Sequence, residues 1–262
     1  MASRPVVLVT GAARRVGRAI ALELAAQGFD VAVHYRHAKA EAEATVADVR
    51  AVGARAQAFA ADLADEAACE ALLPAVVSQF GQVDAVVNNA SAFEYDDAAG
   101  FSYARLDAMM RANCAPAIVL ARALHAHCLA RGSQARACAV NLLDQKLWHP
   151  NPDYLSYTLS KAALESATTL LAMALAPQLR VCGVAPGVTL ESGPMDAAEF
   201  AQAHRLTPLG RSSTPADIAR AVRFLLESPA ITGTTLLVDG GQHLAGQTRD
   251  VLFLARQPAA PG

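Results

Sequence analysis

Charge is scarce in this chain and favours neither sign: 22 Lys and Arg stand against 24 Asp and Glu over 262 residues, a formal net charge of −2. With no basic surplus to neutralise phosphates, general affinity for nucleic acid or for an anionic membrane surface is not expected. Long hydrophobic runs are also missing, and no segment reaches the ~20 apolar residues that span a bilayer. The N-terminus passes from Met1 straight into an apolar strand, without the layout of a secretory leader, so a cytoplasmic location is expected. The cysteines, at 69, 114, 128, 138 and 182, are odd in number and lie in apolar segments without metal-type spacing. They read as buried reduced thiols, and no metal is expected. No repeat or domain-sized linker interrupts the chain, and 53% of its residues are apolar, enough for one large core.

What is present is alternation. Short strand-like runs at Val6–Thr10, which is β-branched, and at Val31–Tyr35, Arg55–Ala60, Asp84–Asn88, Ala137–Leu143, Val181–Val184 and Thr234–Asp239 are separated by helical patterns. The helices are expected from about Val16 to Gln27 and over Ala40–Val52, Glu66–Phe80, Tyr103–Ala130, Tyr154–Ala176 and Thr214–Glu227. Seven strands with helical crossovers predict a single-domain α/β fold of Rossmann type, a doubly wound parallel sheet with helices on both faces. Ligands of such sheets bind beyond the carboxyl ends of the strands. The expected domain is 1–245, including a substrate loop at about 190–213, and 246–262 forms a tail. Met195–Ser213 is the least regular stretch, and a lid or a plain surface loop would both suit it. The tail carries an apolar patch, Val251–Leu254, that needs cover.

Two stretches carry chemistry. The first is the glycine turn Gly11 to Gly17 between the first strand and helix, the layout of a dinucleotide-binding unit. Its glycines let the backbone approach a pyrophosphate, and the helix N-terminus adds N–H groups and a positive dipole end. The second strand lacks the terminal acidic residue that would bond a ribose 2′-OH. Arg36 and His37 follow Tyr35 instead, with Arg14 and Arg15 in the glycine turn, and guanidinium forks match phosphate. The cofactor predicted from this is NADPH. The second stretch is Asp144–Lys161. Tyr157 and Lys161 lie four apart on one helix face, and Asp144 ends a strand thirteen residues before the tyrosine. A free phenol has a pKa near ~10, and a lysine charge one turn away is expected to lower it into a useful range. The Pro- and Asn-rich loop between Asp144 and the helix is free to fold over a site.

These motifs together resemble the short-chain dehydrogenase/reductase family over nearly the whole chain: Thr10-Gly11 to Gly17, Asp62-Leu63, Asn88-Asn89-Ala90, Asn113, Tyr157 to Lys161 and Pro186-Gly187, in order and at family spacing. The resemblance implies hydride transfer with a nicotinamide cofactor. Tyr157 would be the proton donor, Lys161 would hold the nicotinamide ribose, and Asn113 would hold a water in the proton path. Asp62 would touch adenine and Asn89 the adenosine ribose region. The full cofactor set is expected to be Gly11, Arg14, Arg15, Val16, Gly17, Tyr35, Arg36, His37, Asp62, Leu63, Asn89, Ala90, Ser91, Pro186, Gly187 and Val188, with Tyr157 and Lys161 shared with the chemistry.

Three departures narrow the resemblance. Arg15 replaces the middle glycine of the turn, Asp144 stands where a catalytic serine is usual, and Asn88-Asn89-Ala90 is followed by Ser91, Ala92 and Phe93. The pteridine reductases and dihydromonapterin reductases share these features. That group implies a pterin stacked on Phe93, with Ser91, Asp144, Tyr154 and Tyr157 around it. Two mismatches stand against this: Ala38 occupies a position where serine often holds the 2′-phosphate, and the chain runs on past Gly240-Gly241. Physics adds one argument. An ionised Asp144 would repel the negative oxygen that develops in ketone reduction, so it suits a substrate bearing N–H donors, or must itself be protonated. The competing readings are a general carbonyl reductase, for example of 3-oxoacyl thioesters, and a non-enzymatic dinucleotide-binding regulator. By resemblance a homotetramer is expected, with the apolar tail docked on a neighbouring subunit.

Overall fold

The computed structural model describes residues 4–191 and 195–255. Strands β1 (Val6–Val9), β2 (Asp30–Tyr35), β3 (Ala56–Ala60), β4 (Ala85–Asn88), β5 (Ala137–Leu142), β6 (Leu179–Pro186) and β7 (Thr235–Val238) form one sheet in the order 3-2-1-4-5-6-7. Every pairing is parallel. The helices are α1 (Arg15–Ala26), α2 (Lys39–Ala51), α3 (Glu66–Phe80), α4 (Tyr103–Asn113), α5 (Ala115–Ala130), α6 (Leu155–Ala174), α7 (Ala197–Arg205), α8 (Pro215–Glu227) and α9 (Val251–Ala255).

Alternate side chains of each strand point to opposite faces, so the β-branched runs supply two cores at once. Val7, Val9, Val31, Val33, Val87 and Val140 pack beneath Ile20 and Leu24 of α1, Val46 and Val49 of α2 and Ile218, Val222 and Leu225 of α8. Val6, Leu8, Val86, Ala139 and Val181 face Leu72, Leu73 and Val76 of α3, Leu120 and Leu124 of α5 and Ala172 of α6. The strand order reverses between β1 and β4, which opens a crevice at their carboxyl ends.

Local chemistry sets the helix ends. Asp65 caps α3 by accepting from Ala68 N, and Thr214 and Asp217 form a capping box at α8 with Pro215 just inside. The expected helix 103–130 is two helices. The break falls at Cys114, where Pro116, in the first turn of α5, brings no N–H to continue the ladder. The stretch 195–213 holds a regular element after all: α7 starts on a capping box made by Asp196 and Glu199. The tail is covered in part by its own chain: Val251 and Leu252 are buried against Met195 and Ala203, with Val188 and Phe200 packed on them, while Phe253 and Leu254 stay partly exposed.

Candidate active site

The glycine turn closes over the crevice. Gly11 has φ 62°, and a Cβ on Gly17 would lie 2.3 Å from the Gly11 carbonyl oxygen, so neither position tolerates a side chain. Arg15 also sits in the left-handed region, at φ 55°, where glycine would be unstrained. Its guanidinium crosses the crevice to donate to the Glu191 carbonyl at 2.7 Å. Asn89 gives both amide protons to the turn, to the carbonyls of Thr10 at 2.9 Å and Gly11 at 3.2 Å, and so clamps its shape. Thr10 Oγ1 accepts from the backbone N–H groups of Asn89 and Ala90. The buried His34 accepts from Gly11 N on Nδ1 at 3.0 Å and donates from Nε2 to the Ala61 carbonyl, tying the turn to β2 and β3.

A cavity of about 310 Å³ runs from this turn along the carboxyl ends of β4, β5 and β6. Of the expected residues, Arg15, Val16, Asn89, Ser91, Phe93, Asp144, Tyr154, Tyr157, Lys161, Pro186, Gly187 and Val188 line it. Gly11, Arg14, Gly17, Tyr35, Arg36, His37, Asp62 and Ala90 lie outside its lining, along the same sheet edge. Arg36 is exposed and 3.9 Å from Asp62, and Arg14 is 3.6 Å from Glu41, so both guanidiniums stand at the surface with loose partners. Leu63 packs in the core beneath α3, which leaves only its backbone for a cofactor.

At the centre of the cavity Tyr157 Oη donates to Asp144 Oδ2 at 2.9 Å. Asp144 lies two residues beyond the end of β5 and caps a 3-10 turn, Gln145–Trp148, by accepting from Lys146 N at 2.8 Å. Lys161 lies one turn below the tyrosine, its Nζ 5.8 Å from the ring centroid and 2.7 Å from the Leu142 carbonyl that accepts its proton. The Phe93 ring stacks on Tyr154 at 4.2 Å and meets Tyr157 edge-on at 4.7 Å. Tyr154 holds a left-handed backbone, φ 54°, at the N-cap of α6. Two such strained non-glycine residues, Arg15 and Tyr154, both face one cavity.

The electrostatics reverse one expectation. The Tyr157 phenol is pushed well above its ordinary pKa, first by burial and then by the charge and hydrogen bond of Asp144. Lys161 does not offset this. Its own ammonium is pulled down to about 8 by burial, with Asp144 opposing the shift. Tyr157 therefore stays protonated and suits the role of a donor, while Asp144 supplies the polar route to it.

The side chain of Asn113 is engaged within the protein. Its side chain uses four hydrogen bonds inside the protein: Nδ2 donates to the Ala92 carbonyl and Ser160 Oγ, and Oδ1 accepts from Ala92 N and Ser91 Oγ. That bonding fixes the Phe93 segment against α6 and leaves the side chain no donor or acceptor for water. Asp96 completes the same join. It accepts from Ser156 N at 2.9 Å and from Ser156 Oγ, while its carbonyl accepts from Leu155 N. A carboxylate from a distant loop thus caps the helix that bears Tyr157. Nothing local in the sequence marks Asp96 for this, because the pairing spans 60 residues.

The cavity also takes in residues that sequence reasoning missed: Lys146, Gln242, Gln247 and Asp250. Gln242 Oε1 accepts from Val188 N at 3.1 Å and holds the loop after β6. For Gln242, Gln247 and Asp250 the sequence signal is the polar run after Gly240-Gly241, adjoining the apolar tail.

With this geometry in view, comparison with known proteins is informative. Residues 11–243 match the family described as Enoyl-(Acyl carrier protein) reductase. A 3-oxoacyl-[acyl-carrier-protein] reductase FabG of Staphylococcus aureus is 34% identical over 247 residues, covering 90% of this chain and 97% of the relative. An L-rhamnose 1-dehydrogenase (NAD(P)(+)) of a Sphingomonas species is 31% identical, covering 91% and 96%. Among solved structures, FolM alternative dihydrofolate reductase 1 of Brucella canis, complexed with NADP, superposes with a TM-score of 0.86 at 36% identity, covering 94% of this chain and 96% of that one. The matched span, the seven-stranded parallel sheet and the paired Tyr157 and Lys161 agree: the chain belongs to the short-chain dehydrogenase/reductase family.

Proposed function

We propose that the protein is an NADPH-dependent reductase of a flat, N–H-bearing heterocycle of the dihydropterin type. The observation that carries this is the 2.9 Å hydrogen bond from Tyr157 to Asp144 with the Phe93 ring set edge-on beside it. A carboxylate touching the proton donor disfavours a developing alkoxide and favours a substrate that offers donors. An aromatic ring at the same place suits a planar substrate. The FolM structures of Brucella canis and Brucella suis, both solved with NADP at 36% identity, support the same reading.

The residues at the glycine turn fit the cofactor. Gly17 leaves a cradle that a Cβ would fill at the N-terminus of α1, and Arg14 and Arg15 after β1, with Arg36 and His37 after β2, would supply the cations that a 2′-phosphate needs. The bound dinucleotide would supply the hydride. Pro186, Gly187 and Val188 would close its nicotinamide end, with Lys161 as the ammonium nearest its ribose. Tyr157 would donate its proton to the ring nitrogen, and Asp144, after taking a proton from the solvent that reaches the cavity, would pass it to Tyr157. Asn113 and Asp96 act through position alone, by holding Phe93 and α6 in register.

A second reading, reduction of 3-oxoacyl thioesters, is favoured by the FabG relatives. It leaves Asp144 without a use. We place the enzyme in the cytoplasm, and no described helix is long and apolar enough to cross a membrane. A homotetramer is the expected assembly, and exposed Ile118 and Leu129 on α5 with Leu170 and Met173 on α6 supply apolar surface for it.

Thermal denaturation with saturating NADP⁺ tests the reading. A dihydropterin should raise the midpoint further as its concentration exceeds Kd. A further rise with a 3-oxoacyl thioester and none with the pterin would favour the second reading.

A further inference from the structure

The far wall of the cavity is built by the C-terminal segment, and that segment is fastened to its own chain at several points. Arg249 makes a two-pronged ion pair with the buried Asp153, with contacts of 2.8 to 3.1 Å. Asp153 Oδ2 also accepts from Asp250 N at 2.8 Å. Phe253 meets Tyr95 edge-on at 5.8 Å, and Tyr95 in turn meets Tyr154 at 5.2 Å. Gln247 Nε2 donates to the Leu206 carbonyl. Together these contacts deliver one new charge to the cavity, the carboxylate of Asp250.

Its surroundings set it apart from a surface aspartate. Asp250 is half-buried, and the charges of Lys146, Asp144 and Asp153 all act on it. Lys146 is itself 4% exposed and lines the same cavity, and its Nζ donates to the Asp153 carbonyl. Asp250 also acts electrostatically on Tyr157, so it lies within range of the reacting end. One oxygen, Oδ1, accepts from Leu252 N at 3.1 Å and caps α9. That bond leaves Oδ2 with no hydrogen-bond partner among the described residues, beside a cavity of about 310 Å³.

We propose that Asp250 is a specificity-determining residue of the substrate pocket, accepting hydrogen bonds from N–H or O–H donors on the substrate edge opposite the one that Asp144 reads, and turning away anionic substituents. This rests on the reductase reading above and names the part of that site which selects among its substrates. Two carboxylates, Asp144 and Asp250, line the cavity, and the charge of Lys146, which lines it too, offsets the repulsion between them. A neutral, donor-bearing substituent gains hydrogen bonds at Asp250, whereas a carboxylate-bearing one meets a like charge in a partly desolvated wall.

The test is Asp250→Asn, assayed by NADPH oxidation with dihydrobiopterin, whose substituent carries hydroxyls, and with dihydrofolate, whose substituent ends in carboxylates. Asn keeps an oxygen to cap α9 and removes the charge. KM for dihydrobiopterin should rise roughly tenfold with kcat changed less than about threefold, the loss expected when a charge-assisted bond becomes neutral. KM for dihydrofolate should hold or fall, so the ratio of kcat/KM values shifts at least tenfold. Asp250→Ser, which also keeps a capping oxygen, should reproduce the shift, and it serves if the Asn variant does not fold. A loss equal for both substrates would overturn the proposal and make Asp250 a helix cap only. Wild-type protein that reduces neither dihydropterin would instead refute the underlying reading, and this proposal with it; that outcome is told apart because it appears before any substitution.

Discussion

Asp144→Asn is the substitution with the most to teach. The carboxylate accepts from Tyr157 Oη at 2.9 Å and from Lys146 N at 2.8 Å. Asn keeps an oxygen for Lys146 N, so the 3-10 turn and the cavity should survive. Its amide, however, would donate toward Tyr157 rather than accept. In the native site a phenolate left after proton transfer would stand beside an aspartate anion. Two unit charges ~3 Å apart repel by about 5 kcal/mol at an effective dielectric of ~20, and by less where the cavity admits water. Turnover therefore requires that Tyr157 regain a proton, drawn from solvent and passed through Asp144, as it donates. The Asn variant cannot relay that proton. Its kcat for a dihydropterin should fall about 10²- to 10⁴-fold, the usual range for lost acid–base assistance. NADPH affinity, measured by fluorescence titration, should change less than about threefold. A variant with wild-type kcat for dihydropterin would refute the relay. So would a variant whose loss lies wholly in NADPH binding.

Other consequences follow from the same geometry. Phe93 is 40% exposed, so Phe93→Ala should cost little stability, yet KM for dihydropterin should rise roughly 2- to 13-fold from a lost stacking contribution of ~0.5–1.5 kcal/mol, more with the lost contact area; unchanged KM would mean that nothing stacks there. Arg15→Gly should relieve a left-handed backbone and leave the melting temperature level or higher, while Kd for NADPH rises at least about tenfold with the loss of a charged donor; unchanged Kd would confine Arg15 to its bond with Glu191. Lys161, depressed to about 8 by burial, should lose its proton and the enzyme its rate as pH rises past about 8, whereas an upper limb near ~10 would count against a buried ammonium. For stability the sign is opposite. The folded lysine binds its proton more weakly than the unfolded one, so its burial costs free energy below pH 8, and that cost is relieved between about 8 and ~10.5. Lys161→Met should therefore gain on wild type most at neutral pH, and a stability difference independent of pH would contradict this.

Much of the architecture could be read from the residues because local and global signals agree. The β-branched runs around Val6, Val31, Val86 and Val140 are buried on both faces, and that burial makes a continuous apolar run readable as a parallel strand. Tyr157, Lys161 and Asp144 could be read because fixed spacing on a helix, and placement at a strand end, put them in one place. What escaped depends on distance or on burial. Asp96 caps α6 across 60 residues, and the tail joins Asp153 across 96, so no window of sequence contains either pair. The direction of the Tyr157 shift escaped because spacing reveals the lysine one turn away but not how deeply both groups are buried. The helix α7 need not have escaped: Asp196 and Glu199 spell a capping box, which polar residues nearby disguised as loop.

The central claim is that Asp144 fits the site to a donor-bearing heterocycle rather than a ketone, and steady-state specificity tests it most directly. Wild-type protein should oxidise NADPH with a dihydropterin at a kcat/KM well above that for a 3-oxoacyl thioester, and Asp144→Ser should collapse that preference by losing the pterin rate. Wild-type protein that reduces 3-oxoacyl thioesters efficiently and leaves dihydropterins untouched would contradict it.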